Sequence, residues 1–182
     1  MISNNSNKIK LRSIEIEDLS KIQEWRNSKF IQPFVREYRE LTMANVKGWY
    51  DSLIGNRKFE FFIIQDKDSR DIGVTGLTYI DWVNRHADLH LGLYEETWGC
   101  KEWGIPTMEV MLNFGFQHLN LNKIYAEIYG IDTEKLDLFN GYGFKVDASL
   151  REHYYHEGKY VTSHILSLLK SEYKNKLNEL QK

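Results

Sequence analysis

Glu127 stands in the segment Lys123 to Tyr129, alternating with Ala126 and Ile128 at the two-residue period of a strand, so its carboxylate faces away from their apolar side. A carboxylate held in that way can take a proton from an incoming nucleophile. Asp88 and His90 share one face of an earlier strand-like segment, Ala87 to Leu93, and are weaker alternatives that would act through water. Between the two segments, Gly99 and Gly104 bracket a turn, and Pro106 is placed in the first turn of a helix expected from about Pro106 to Leu119. A helix that opens after a glycine turn presents unbonded N–H groups and the positive end of its dipole, which suits a pyrophosphate. Asp132 precedes a second helix as its N-cap, and that helix ends at Gly141-Tyr142-Gly143-Phe144.

The histidines do not make a metal site. His86 and His90 are four residues apart, which on a strand is about 13 Å, too far to share one ion. His153 and His156 flank a turn and are expected to be surface or hydrogen-bonded residues.

The elements that must position these groups follow from periodicity. Residues 1–7 read as a loose polar tail, and Ile9 and Leu11 mark a first strand within 8–13. Ile16, Leu19, Ile22 and Trp25 recur at helical spacing, and so do Val46, Trp49, Tyr50 and Leu53 between Thr42 as N-cap and Gly55. Strands are expected at 59–65, 72–81 and 87–93, forming an antiparallel meander. The strand at 123–129 comes after a helical crossover, which favours parallel pairing and makes the sheet mixed. A hairpin of 150–155 and 159–169 turns at His156-Glu157-Gly158, and 171–182 is a polar extension, either a short helix or a frayed end. The expected unit is therefore one α/β domain over 8–170.

Bulk properties narrow the function. With 24 basic and 26 acidic residues, the net charge of -2 gives no electrostatic footprint for nucleic acid, so any anion must be held locally. The single Cys100 excludes an internal disulfide, and no apolar run approaches the roughly 20 residues that span a bilayer. A cytoplasmic protein without membrane or nucleic-acid partners is expected, as monomer or homodimer.

Three runs resemble the GCN5-related N-acetyltransferases (GNAT): Trp98-Gly99 with Trp103-Gly104, the join Asn113-Phe114-Gly115-Phe116 to Asn120-Leu121-Asn122-Lys123-Ile124-Tyr125, and Leu150-Arg151-Glu152-His153-Tyr154 with Glu157-Gly158-Lys159-Tyr160. The branch includes ribosomal-protein N-terminal, spermidine and sugar-nucleotide amine acetyltransferases. The resemblance implies a mixed, mostly antiparallel sheet of six to seven strands with about four helices and splayed central strands. It implies direct transfer from acetyl-CoA to a primary amine in a ternary complex, with a small-molecule acceptor. An amino-sugar nucleotide is favoured, and a polyamine or protein N-terminus is the alternative. A degenerate binding module that has lost acetyl transfer and a structural subunit are the rival classes.

By the same resemblance, Glu127 aligns with a glutamate used as general base. Backbone groups of Leu93 and Tyr94 would orient the thioester. The cofactor loop and helix start would use Gly99, Lys101, Trp103, Gly104 and Ile105, with Asp132 and Phe139 along the pantetheine arm. Arg26, Arg36, Asp88 and His90 would meet the acceptor. Departures are visible as well. Glu102 stands where the family has a glycine, and a carboxylate ~5 Å from a phosphate costs about 3 kcal/mol at an effective dielectric of ~20. Asp132 replaces an asparagine, and Lys135 stands where relatives carry a small residue. Phe139 replaces a tyrosine that protonates the departing thiolate, leaving Tyr142, one turn on, as a weak acid candidate.

Overall fold

In a computed structural model the backbone is described for residues 2–3, 8–35, 37, 39–94 and 101–180, and side chains for 8–35, 37, 39–94 and 102–178. The elements run β1 (Ile2–Ser3), β2 (Ile9–Ser13), α1 (Leu19–Asn27), α2 (Met43–Leu53), β3 (Glu60–Asp66), β4 (Asp71–Asp81), β5 (His86–Leu93), α3 (Lys101–Asn113), β6 (Lys123–Tyr129), α4 (Thr133–Tyr142), β7 (Lys145–His156), β8 (Lys159–Leu169) and α5 (Lys170–Leu180). One sheet joins the strands in the order β1-β2-β3-β4-β5-β6-β8-β7. Every neighbouring pair is antiparallel except β5 with β6, which the α3 crossover makes parallel.

Alternation along the strands buries both faces of the sheet. Adjacent Ile63 and Ile64 belong to different cores, one formed with Leu19, Ile22 and Val46 of α1 and α2, the other with residues of α3, α4 and α5. The α2 start is fixed by reciprocal bonds: Asn45 N–H donates to Thr42 Oγ1 at 3.2 Å, and Thr42 N–H to Asn45 Oδ1 at 3.0 Å. At the α4 end Gly143 adopts φ 116°, a left-handed conformation that closes the helix through bonds to the Phe139 and Asn140 carbonyls.

The polar extension takes the form of a helix, α5, anchored because Tyr173 is buried with its ring 5.2 Å from Phe116. Two expectations are corrected. Ile2–Ser3 is a two-residue edge strand paired to Leu11 and Lys10, whereas the tail was expected to be loose. Among the described residues α3 already includes Lys101, so Pro106 is its sixth residue. Proline removes only the bond to the Glu102 carbonyl, and the turn ahead of it survives.

Candidate active site

Pairing between β5 and β6 covers only His86–Asp88 against Lys123–Tyr125, although β5 continues to Leu93 and β6 to Tyr129. Beyond that point the strands part, and a cleft of about 510 Å³ opens between them. Tyr94 N–H donates to the Ile72 carbonyl at 3.0 Å, in register with Gly73 opposite Leu93 and Val74 opposite Gly92. Antiparallel ladders alternate, so the N–H groups of Gly92 and Tyr94 turn toward β4 while those of Leu91 and Leu93 turn into the split. The Leu93 N–H is thus open to the split, whereas the Tyr94 N–H, which was expected there too, is committed to β4, and Tyr94 contributes its side chain to the cleft instead.

Glu127 lines the cleft from β6. Its Oε1 accepts a bond from Ser163 Oγ at 2.8 Å and lies 3.6 Å from His153 Nε2. Ser163 is fully buried on β8, diagonal to Glu127, whose direct partner there is Ile165. Asp88 and His90 reach the same cleft from β5. Burial, then the nearby charges of Lys135 and Arg26, push His90 down to about 3. It is therefore neutral at pH 7 and too weak a base for the role entertained above. His90 Nε2 sits 3.4 Å from the Tyr94 hydroxyl. Burial raises the Tyr94 phenol against the opposing pull of Arg26.

Arg26, at the end of α1, lines the opposite wall, and its buried Nε has no hydrogen-bond partner among the described residues. A smaller recess of about 270 Å³, bounded by Ile22, Leu41, Val46 and Val74, also has Arg26, Trp49 and Tyr94 on its rim. Helix α4 forms the far side with Asp132, Lys135 and Phe139. Asp132 is a buried N-cap that accepts from Lys135 N–H at 3.1 Å, and its other oxygen lies 3.6 Å from Lys135 Nζ. Capping and facing the cleft are thus compatible for Asp132. Phe139 is buried against Phe144, with ring centroids 4.8 Å apart.

Tyr142 is not brought to the cleft. It packs near Phe144 and beneath Lys176, whose Nζ is 4.1 Å from its ring centroid, and burial raises its phenol. The spacing of three residues from Phe139 rotates it about 300° around α4, onto the side facing α5.

Gly99 and Arg36 lie outside the described residues, as does the Lys101 side chain. Trp103, Gly104 and Ile105 fall within α3 instead of a loop, and Trp103 and Ile105 pack on the core. A Cβ on Gly104 would stand 2.7 Å from Leu138 Cδ2, so this glycine lets α3 approach α4. Lys101 to Gly104 are the first described residues of α3, the end of the helix that follows β5. Glu102 is exposed, which keeps its charge toward solvent.

Several cleft residues carry no signal in the sequence. Tyr129 stacks on Tyr154 with centroids 3.9 Å apart and planes within 2°, and Tyr154 donates to the Pro33 carbonyl at 3.0 Å. The last hairpin thereby fastens the turn at 32–34 over the cleft. Ser163 and this stack become visible only once the β6–β8–β7 register is known.

Split central strands, strand amides aimed into the gap and a carboxylate on the next strand suit acyl transfer from a CoA thioester. Residues 8–145 match the family model described as an acetyltransferase (GNAT) domain, and the chain belongs to that family, as an acetyl-CoA-dependent N-acetyltransferase. An uncharacterised N-acetyltransferase, p20 of Bacillus licheniformis, is 29% identical over 175 residues, spanning 91% of this chain and 95% of the relative. The spermidine N(1)-acetyltransferase of Vibrio cholerae is 24% identical over 171 residues, spanning 94% of this chain and 98% of that protein. A crystal structure of spermidine N-acetyltransferase from Vibrio cholerae with CoA and spermine superposes with TM-score 0.85 at 23% identity, over 93% of this chain and 99% of that one.

Proposed function

We propose that the chain transfers the acetyl group of acetyl-CoA to a primary amine of a small cationic molecule, with a di- or polyamine preferred over an amino-sugar nucleotide. The observation that carries this is the charge lining the cleft. Among the described residues, Glu37, Asp88, Glu127 and Asp132 supply four carboxylates, against two cations, Arg26 and Lys135, while His90 is neutral. Aromatic rings of Trp49, Phe61 and Tyr129 add faces that attract an ammonium group. A nucleotide diphosphate would instead add negative charge to this set. The spermidine acetyltransferases among the relatives point the same way.

Only a neutral amine attacks a thioester. At pH 7 an amine with a pKa near 10.4 is less than about a thousandth neutral, so a positioned base matters more for this class than for an α-amine of pKa about 8. Glu127 takes the proton as the nitrogen attacks, with its carboxylate oriented by Ser163. The N–H groups of Leu91 and Leu93 receive the carbonyl oxygen as negative charge builds on it. Both substrates occupy the cleft together, and transfer is direct.

Initial rates with acetyl-CoA over an amine panel test this. Spermidine, spermine or 1,3-diaminopropane should exceed a uridine-diphosphate amino sugar and a peptide N-terminus by at least about tenfold in kcat/KM, the equivalent of 1.4 kcal/mol. An amino-sugar nucleotide at the head of the panel would overturn the choice and assign the buried Arg26 Nε to a phosphate.

A further inference from the structure

When the tetrahedral intermediate collapses, the carbon–sulfur bond breaks and its electron pair leaves on sulfur, which needs a positive or acidic partner. Among the described charged groups on the cleft, the carboxylates of Glu37, Asp88, Glu127 and Asp132 would repel that sulfur, and His90 carries no charge. Phe139 has no proton to give. The two cations stand on different walls. Arg26 closes α1 on the side of the smaller recess, whereas Lys135 projects from the first turns of α4, one turn before Phe139. A thioester entering along the split where the Leu91 and Leu93 amides point would lie beside α4, which borders that split.

We infer that Lys135 is the catalytic acid, donating a proton from its ammonium group to the CoA sulfur as the carbon–sulfur bond breaks. The sulfur leaves as the thiol, Lys135 becomes a neutral amine, and the proton lost by the acceptor nitrogen resides on Glu127. Exchange with solvent then restores both groups, so the net reaction is amine plus thioester giving amide plus thiol.

The surroundings suit an acid. The Lys135 side chain is 22% exposed, with Asp132 Oδ2 at 3.6 Å. Burial lowers it from its ordinary amine value, while Asp132 on its own helix and Asp88 on β5 oppose that shift. Among the described residues, His90 on β5, Glu127 on β6, Glu37 and Arg26 on the α1 side, and the phenols of Tyr79, Tyr94 and Tyr129 complete the titratable and charged groups around the cleft. An ammonium group weakened in this way is better matched to a thiolate of pKa about 8.5 than an exposed lysine near 10.4.

The test is single-turnover transfer from acetyl-CoA to the best acceptor of the panel, from pH 6 to 10, for the wild type, Lys135→Met and Lys135→Arg. The wild-type rate should fall on an alkaline limb as Lys135 loses its proton. Lys135→Met should be slower by about 10- to 100-fold at neutral pH and lack that limb, with the KM for acetyl-CoA within about twofold. Lys135→Arg keeps the pairing with Asp132 but cannot donate a proton, and should be as slow as the methionine variant. A raised KM with an unchanged rate would make Lys135 a cofactor-binding residue and overturn the inference. So would a wild type with no alkaline limb, an arginine variant at full rate, or slow variants that retain the limb. The inference holds for any amine acceptor, and failure of the polyamine preference would show in the ranking of the panel, not in the limb.

Discussion

At Glu127, two requirements meet in one side chain, since the carboxylate must be ionised to accept a proton and held still to accept it from one direction. Ser163 Oγ at 2.8 Å supplies the second requirement from a buried position on β8. Glu127→Gln should lower turnover by about 100-fold near pH 7. The deficit should narrow toward pH 10, where free amine becomes abundant without help from a base. A deficit of constant size across the pH range, measured by steady-state kinetics on spermidine, would remove Glu127 from proton transfer. Period-two alternation marked Glu127 in the sequence. Ser163 left no mark, because its meeting with Glu127 is diagonal across β6 and β8 and depends on a register set by the whole hairpin. His90 shows the opposite case, a residue legible as an acid–base group that burial among Lys135 and Arg26 makes too weak to act.

Among the elements, α1 carries Arg26 over the cleft, and its seat on the sheet rests on Arg12. That guanidinium donates to both Asp18 oxygens at 2.7 and 2.8 Å and to Asp71 Oδ2 at 3.0 Å, tying β2 to the start of α1 and to β4. Although burial opposes it, the bonds to Arg12 and neighbouring donors hold both carboxyls below their ordinary value of 3.8. Groups with depressed folded values stabilise fully above the unfolded value, and the contribution is lost as pH falls through the folded one. Arg12→Met should therefore cost about 2 kcal/mol at pH 7 by urea denaturation, and the gap to wild type should shrink below pH 3.8. A gap that persists undiminished in acid would show that Arg12 acts by packing alone. Long strands and capped helices were readable from their periods. The two residues of β1 were too few to show one, and the early start of α3 was hidden by a proline that reads as a beginning. The splay of β5 from β6 has no local signature, since it is an interruption of pairing and not of either strand.

For the molecule as a whole, a net charge of -2 describes the surface and not the site. The cleft gathers acidic residues from the segment after α1, from β5, from β6 and from the cap of α4, and their common destination appears only in three dimensions. Sequence motifs carried the family and the cosubstrate and favoured an amino-sugar nucleotide as acceptor, whereas those carboxylates, seen together, are the ground for the cationic amine proposed above. Everything proposed for the chemistry places the thioester in the β5–β6 split. A crystal structure of the chain with CoA tests that placement most directly. The sulfur is expected beyond the last β5–β6 pair, within hydrogen-bond reach of a Leu91 or Leu93 amide and of Lys135 Nζ, with the pyrophosphate on the first-turn amides of α3. Pantetheine lying outside the split, or sulfur directed away from α4, would contradict it.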